Sequence, residues 1–198
     1  MIYFTSDLHL WHSNIIRFCD RPYVSAEEMN AALIKNWNDT VGPEDTVYCL
    51  GDFSLAARPV EAITSLLNGK KFLVPGNHDF VHSYNRKSHT PAGKQKWIDK
   101  YTEWGWTLLS EQTTLELPGI ATVNLCHFPY SHAAADIVYD DKFLKWRPID
   151  DGRWLLCGHV HEKWKHIGRM INVGVDQWNF RPVSATEIGT IICSQQQI

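Results

Sequence analysis

The chain has 198 residues, 44% of them hydrophobic and 21% charged, which is enough for one domain whose core stands without disulfides or a structural metal. A formal net charge of −3 excludes a global basic field for unspecific binding to long nucleic acid, and no apolar run approaches the roughly 20 residues of a membrane span. The five cysteines lack C-x-x-C spacing and several lie in apolar runs, so they read as reduced, and with Asp7 interrupting any leader-like apolar start a cytoplasmic protein is expected.

In chain order, IYFTS (residues 2–6) is a short β-prone run followed by the polar stretch DLHLWHSN, which predicts a strand and then a loop. Ser25 and Glu28 fit a capping box, and Met29, Leu33, Ile34 and Trp37 recur at helical spacing, so residues 26–38 are predicted to form an amphipathic helix on a sheet. TVYCL (46–50) is the second strand. Pro59 and Gly69 bracket another helix, with Val60, Ile63, Leu66 and Leu67 on its buried side, and KFLVP (71–75) is the third strand. These alternations imply a parallel sheet, whose sites lie at the carboxyl ends of the strands.

Residues 80–106 have weak periodicity and read as a polar, aromatic loop, with a helix over 94–104. Beyond them, TTLEL (113–117), ATVNLCH (121–127), RWLLCG (153–158), MINVG (170–174) and ATEIGTII (185–192) are predicted strands, with a short helix near 131–136. A second, mixed or antiparallel sheet is expected. Packed face to face with the first and flanked by helices, it makes an α/β two-sheet sandwich, one domain over residues 1–198.

Polar residues recur where these strands end. Asp7 and His9 form D-x-H after the first strand, Gly51-Asp52 closes the second, and Gly76-Asn77-His78-Asp79 closes the third. His127 follows NLC, and His159 and His161 sit in LLCGHVH. Singly, each block is an ordinary polar turn. Converging, they offer two aspartates, one asparagine and four histidines without a thiolate, an oxygen and nitrogen environment suited to two ions of manganese, iron, zinc, cobalt or nickel.

The ordered blocks D-x-H, G-D, G-N-H-D/E, H and G-H-x-H, from residue 7 to residue 161, resemble the calcineurin-like metallophosphoesterases. The flanking stretches FTSDLHLWHSNII and NVGVDQWNFRPV are similar to small, uncapped bacterial and phage members. The resemblance implies a four-layer αββα fold and two divalent ions, manganese first, with nickel, iron, zinc, cobalt or magnesium as alternatives. It assigns Asp7, His9 and His161 to one ion, Asn77, His127 and His159 to the other, and Asp52 as the bridge. It further implies a metal-bridging hydroxide as nucleophile and a catalytic role for His78, which contacts the phosphate and protonates the leaving oxygen. The expected substrates are small nucleotide-like phosphodiesters, with phosphomonoesters, or a catalytically weak metal-binding scaffold, as alternatives; neither a membrane nor long nucleic acid is an expected partner.

Further candidates for contacting substrate or orienting a ligand are His12, Asp79, His132, Trp178 and Arg181. Asp79 is a candidate to hold the tautomer of His78, and Trp178 belongs to a set of tryptophans near the motif blocks that can stack on a base or aryl group.

Overall fold

The computed structural model describes residues 1–131 and 141–195. In chain order its elements are β1 (Ile2–Thr5), α1 (Ser13–Phe18), α2 (Ala26–Thr40), β2 (Thr46–Cys49), α3 (Ala57–Thr64), β3 (Lys70–Leu73), α4 (Pro91–Glu103) and β4 (Trp106–Leu108). They continue with β5 (Gln112–Leu117), β6 (Ala121–Cys126), β7 (Trp154–Cys157), β8 (His166–Ile167), β9 (Met170–Asn172), β10 (Val183–Ser184) and α5 (Ala185–Gln195).

One five-stranded sheet has the order β10-β1-β2-β3-β4, parallel except for β10, and the other has the order β5-β6-β7-β9-β8, with β6, β7 and β9 parallel. The period-2 alternation of strand side chains explains the layering. Along β1, Tyr3 packs with Met29, Leu33 and Trp37 of α2, whereas Phe4 packs with Leu125, Leu156 and Ile171 of the other sheet. Along β7, Leu156 faces that shared seam, whereas Leu155 and Cys157 pack with Phe128 and Phe143 on the outer side. Each fully buried side chain of this size contributes about 1.5–3 kcal/mol relative to exposure, so docking of the sheets is integral to the fold.

The N-terminus of α2 is built as expected: the Ser25 hydroxyl accepts the Glu28 N–H at 3.2 Å, and the Glu28 carboxylate accepts the Val24 N–H at 2.8 Å. Helix α3 stops at Thr64, before Leu66, which is exposed rather than part of the buried face. The helix expected over 94–104 begins earlier, at Pro91, where Thr90 caps it by accepting the Gly93 N–H. The helix expected near 131–136 falls almost entirely on residues outside the described set.

ATEIGTII is a helix, not the predicted strand. Ser184 and Glu187 form a reciprocal cap: the Ser184 hydroxyl accepts the Glu187 N–H at 3.2 Å, and the Glu187 carboxylate accepts the Ser184 N–H at 3.0 Å. Ile188 and Ile192, one helical turn apart, then enter the seam between the sheets.

Candidate metal centre

The carboxyl ends of β1, β2 and β3 are neighbours in one sheet, and those of β6 and β7 in the other. The loops leaving them are tied together by backbone bonds: Asp7 N–H to the Gly51 carbonyl, His9 N–H to the Asp52 carbonyl and Gly158 N–H to the His127 carbonyl, each at 2.9–3.0 Å. Across the seam, the His159 N–H donates to the Asp7 carboxylate at 2.9 Å. The sequence motifs thus meet in space.

These tips are held in conformations that side-chain-bearing residues rarely adopt. Asp7 (φ 57°), His9 (φ 51°), Asp52 (φ 53°), His159 (φ 71°) and His161 (φ 49°) all lie in the left-handed region. Such strain persists where surrounding contacts over-determine it, and it clusters at functional sites. Two glycines make room: a Cβ on Gly76 would lie 2.4 Å from Asp52 Oδ1, and one on Gly158 would lie 2.4 Å from Asp7 Oδ2.

Asp7, His9 and His161 bring one ligand atom each within 4.8 Å of one another, and so do Asp52, His127 and His159. His9 and Asp52 form a third such group with His78, connecting the two clusters. The spacings are His9 Nε2 to Asp52 Oδ2 3.6 Å, His127 Nε2 to Asp52 Oδ2 3.4 Å, and His161 Nε2 to Asp7 Oδ1 3.9 Å. Donors that each lie about 2.1 Å from a shared ion are themselves roughly 3–4 Å apart, so these spacings fit residues that could hold common ions.

The chemistry of the buried atoms fits the same group. Asp7 Oδ1, His9 Nε2, Asn77 Oδ1 and His127 Nε2 are buried without a hydrogen-bond partner. Leaving such atoms unpaired costs about 1–3 kcal/mol each, a cost that a bound cation removes. The Leu50 carbonyl lies 2.8 Å from His127 Nδ1, so Nδ1 carries a proton and Nε2 is the nitrogen turned to the centre.

Charge in the protein without ions points the same way. Burial opposes a proton on His127, but Asp52 beside it raises the imidazole to about 9; burial likewise opposes one on His161, but Asp7 and Asp176 raise it to about 11. Burial lifts the Asp52 carboxyl, yet His127, His78 and His9 bring it well below the ordinary range. Burial, with His127 next to it, lowers His159 to about 2, and burial likewise lowers His9 well below its usual value. The two carboxylates draw positive charge into the pocket.

His78 is 42% exposed in its side chain, its Nε2 lies 3.9 Å from Asp52 Oδ2, and its backbone N–H donates to Asp52 Oδ1 at 2.8 Å. The Asp79 carboxylate does not pair with it. Instead, buried Asp79 accepts the N–H groups of Asp52 and Gly76 at 2.8 Å each and of Phe53 at 3.2 Å, bracing the β2 and β3 tips. Burial and the nearby Asp52 charge nevertheless push this carboxyl up to about 7.

Of the other candidates, His12 lies at the centre, with its Nδ1 3.5 Å from His9 Nδ1, and burial lowers its pKa. Trp178 is instead in the seam core, its indole N–H donating to the Asn172 carbonyl at 2.8 Å, which leaves little surface for a substrate. Arg181 is engaged by Glu187 at 2.7 Å near α5. His132 lies outside the described residues.

Arg21 and Asp176 form a buried pair that sequence reasoning did not single out. Arg21 Nε donates to Asp176 Oδ1 at 2.7 Å and its Nη2 to Oδ2 at 2.9 Å, while the same guanidinium donates to the Asp7 and Leu8 carbonyls. Asp176 Oδ2 lies 3.4 Å from His161 Nδ1 and so turns Nε2 towards Asp7. No strand-tip pattern marks either residue.

A family model described as calcineurin-like phosphoesterase matches residues 1–163. An uncharacterised protein of Methanocaldococcus jannaschii is 48% identical over 201 residues, covering 96% of this chain and 90% of its own. The gene 66 protein of Mycobacterium phage L5 is 33% identical over 204 residues, covering 96% of this chain and 93% of its own. A crystal structure of a protein of unknown function from Aquifex aeolicus superimposes with a TM-score of 0.68 at 25% identity, over 97% of this chain and 99% of the other.

Proposed function

The chain belongs to the calcineurin-like phosphoesterases, and from that premise we propose that it is a binuclear metal-dependent phosphodiesterase acting on small nucleotide-like diesters. The observation that carries the hydrolase reading is the pair of ligand clusters, Asp7 with His9 and His161 and Asp52 with His127 and His159, joined where His9 Nε2 comes within 3.6 Å of Asp52 Oδ2, with buried atoms of Asp7, His9, Asn77 and His127 left without a hydrogen bond.

Two divalent ions, manganese first among the candidates, would supply the charge that holds phosphoryl oxygens and the acidity that activates water. Asp7, His9 and His161 would hold one ion, and Asn77, His127 and His159 the other, with Asp52 shared. The chain's own work is to fix these donors: Asp79 sets the Asp52 loop, Leu50 the His127 tautomer, and Asp176 that of His161. His78, anchored through its N–H to Asp52 and part-exposed at the mouth, is placed to give a proton to the departing oxygen.

Openness supports diesters: His78 faces a wide cleft rather than a closed cavity, which accommodates ester groups on both sides of the phosphorus. Free thiols at all five cysteines agree with a cytoplasmic location, and no described helix is long and apolar enough to cross a membrane. The test strips the protein of metal, restores manganese and compares bis-p-nitrophenyl phosphate with p-nitrophenyl phosphate. Metal-dependent turnover favouring the diester is expected; a preference for the monoester replaces the diester reading, and undiminished activity in metal-free protein overturns the assignment.

A further inference from the structure

A cleft of about 920 Å³ opens directly off the centre, from Asn77 and His78 along Tyr84 and Arg86 to Lys145 and Trp146. Among the described residues, none that lines it is acidic, although the chain as a whole carries a net charge of −3. Glu111 meets this wall at Ser83, whose N–H and hydroxyl donate to it at 2.7 and 2.8 Å. Lys87 also lines the cleft, but its ammonium sits 4.0 Å from the Phe80 ring centroid. Arg86 and Lys145 are exposed, the Lys145 ammonium 5.3 Å from the centroid of the Trp146 ring on the same wall, and both border a space continuous with Asn77 and His78.

Tyr84 and Trp146 pack edge to face with ring centroids 5.2 Å apart, and the Trp146 indole N–H donates to the Ser83 hydroxyl at 2.7 Å. The aromatic part of the wall is therefore held in place before any ligand arrives. Lys145 comes from the segment before β7 and Arg86 from the segment after β3, so the cations approach from opposite sheets. A single phosphoryl group at the ions does not need them, because the ions already supply its positive partners.

We infer that the substrate is a phosphodiester whose nucleoside-sized arm carries a second phosphate, and that Arg86 and Lys145 bind that second phosphate in the cleft beside His78. This rests on the phosphoesterase reading of the centre and extends it. Guanidinium matches a terminal phosphate with paired donors, Lys145 adds a point charge, and Tyr84 and Trp146 border the arm between the two phosphates.

The probes are the p-nitrophenyl ester of thymidine 5′-phosphate and the same ester carrying an additional 3′-phosphate. Formation of p-nitrophenol and of p-nitrophenyl phosphate from each is followed by chromatography on manganese-loaded protein, so cleavage on either side of the diester phosphorus is counted and removal of the 3′-phosphate is not. The bisphosphate probe is expected to show a kcat/KM about tenfold higher, the size of one charge-assisted contact at a partly exposed site, and R86A/K145A brings the ratio close to one. A ratio near one in the unaltered protein, or the same ratio in the double variant, overturns the proposal.

Calorimetric binding of thymidine 3′,5′-bisphosphate against thymidine 5′-phosphate separates the two layers of the argument. If neither diester is cleaved, the phosphodiesterase reading fails, while tighter binding of the bisphosphate that is lost in R86A/K145A still supports the cleft assignment. Equal binding of both nucleotides sinks it.

Discussion

The carboxylate of Asp79 accepts the backbone N–H of Asp52 at 2.8 Å, so the position of the proposed bridging ligand is set by a residue on the next strand's tip. Replacement by alanine strands three buried N–H groups, those of Asp52, Phe53 and Gly76. Asp79→Ala is expected to cost about 3 kcal/mol or more of stability and to lower metal content, even though Asp79 contacts no ion. Urea unfolding and elemental analysis check this; a fully loaded variant of native stability contradicts it.

His78→Ala should keep two ions per chain and lose about 10²–10⁴-fold in turnover of an aryl diester, the range for a missing general acid. The two measurements belong together, because His78 shares a cluster with His9 and Asp52. Loss of an ion in this variant would make His78 a ligand instead of a proton donor.

Asp176→Asn keeps an oxygen for Arg21 but removes the charge facing His161 Nδ1. Metal affinity is expected to fall about 10–100-fold, as for other groups that orient a metal-bound imidazole. Competition with a chromogenic chelator measures it directly. Unchanged affinity would reduce the Arg21–Asp176 pair to a structural tie.

Glu187 carries the pH prediction. The Arg181 guanidinium holds its carboxyl down at about 2, against an ordinary value of 4.5, with the Ser184 N–H and hydroxyl adding to the effect. A depressed carboxylate contributes stability that is complete above its unfolded value and is lost as pH falls through the folded one, so this contribution fades between 4.5 and about 2. Because both partners are about a third exposed, with side chains 35% and 37% accessible, it amounts to less than about 1 kcal/mol. The stability gap between the native chain and Glu187→Gln should be full at about pH 6 and shrink by about pH 3.5, as read by urea midpoints; a gap that widens in acid reverses the sign.

Much of the centre was legible because each motif ends a hydrophobic run: Asp7 follows IYFTS, Asp52 follows TVYCLG, and His159 follows WLLCG. Strand direction then places such ends together without any knowledge of packing. Arg21 and Asp176 were not legible. They lie 155 residues apart, Arg21 in a loop and Asp176 in a single 3-10 turn over Val175–Gln177, and only the folded chain brings them into contact. The strand expected at ATEIGTII followed the β-branched character of Ile188, Ile191 and Ile192, whereas the Ser184–Glu187 cap just upstream favours a helix. Strands β8 and β10, two residues each, are too short for any periodicity to register.

The bond from the His159 N–H to Asp7 joins positions 152 residues apart and crosses from one sheet to the other. Neither half of the polypeptide can assemble the pocket alone, so cations held there would recognise only the closed pair of sheets and act as rivets on it. Chelation should accordingly loosen the molecule along that joint first, with amide exchange accelerating at Leu156 and Ile171 before it does beneath α2.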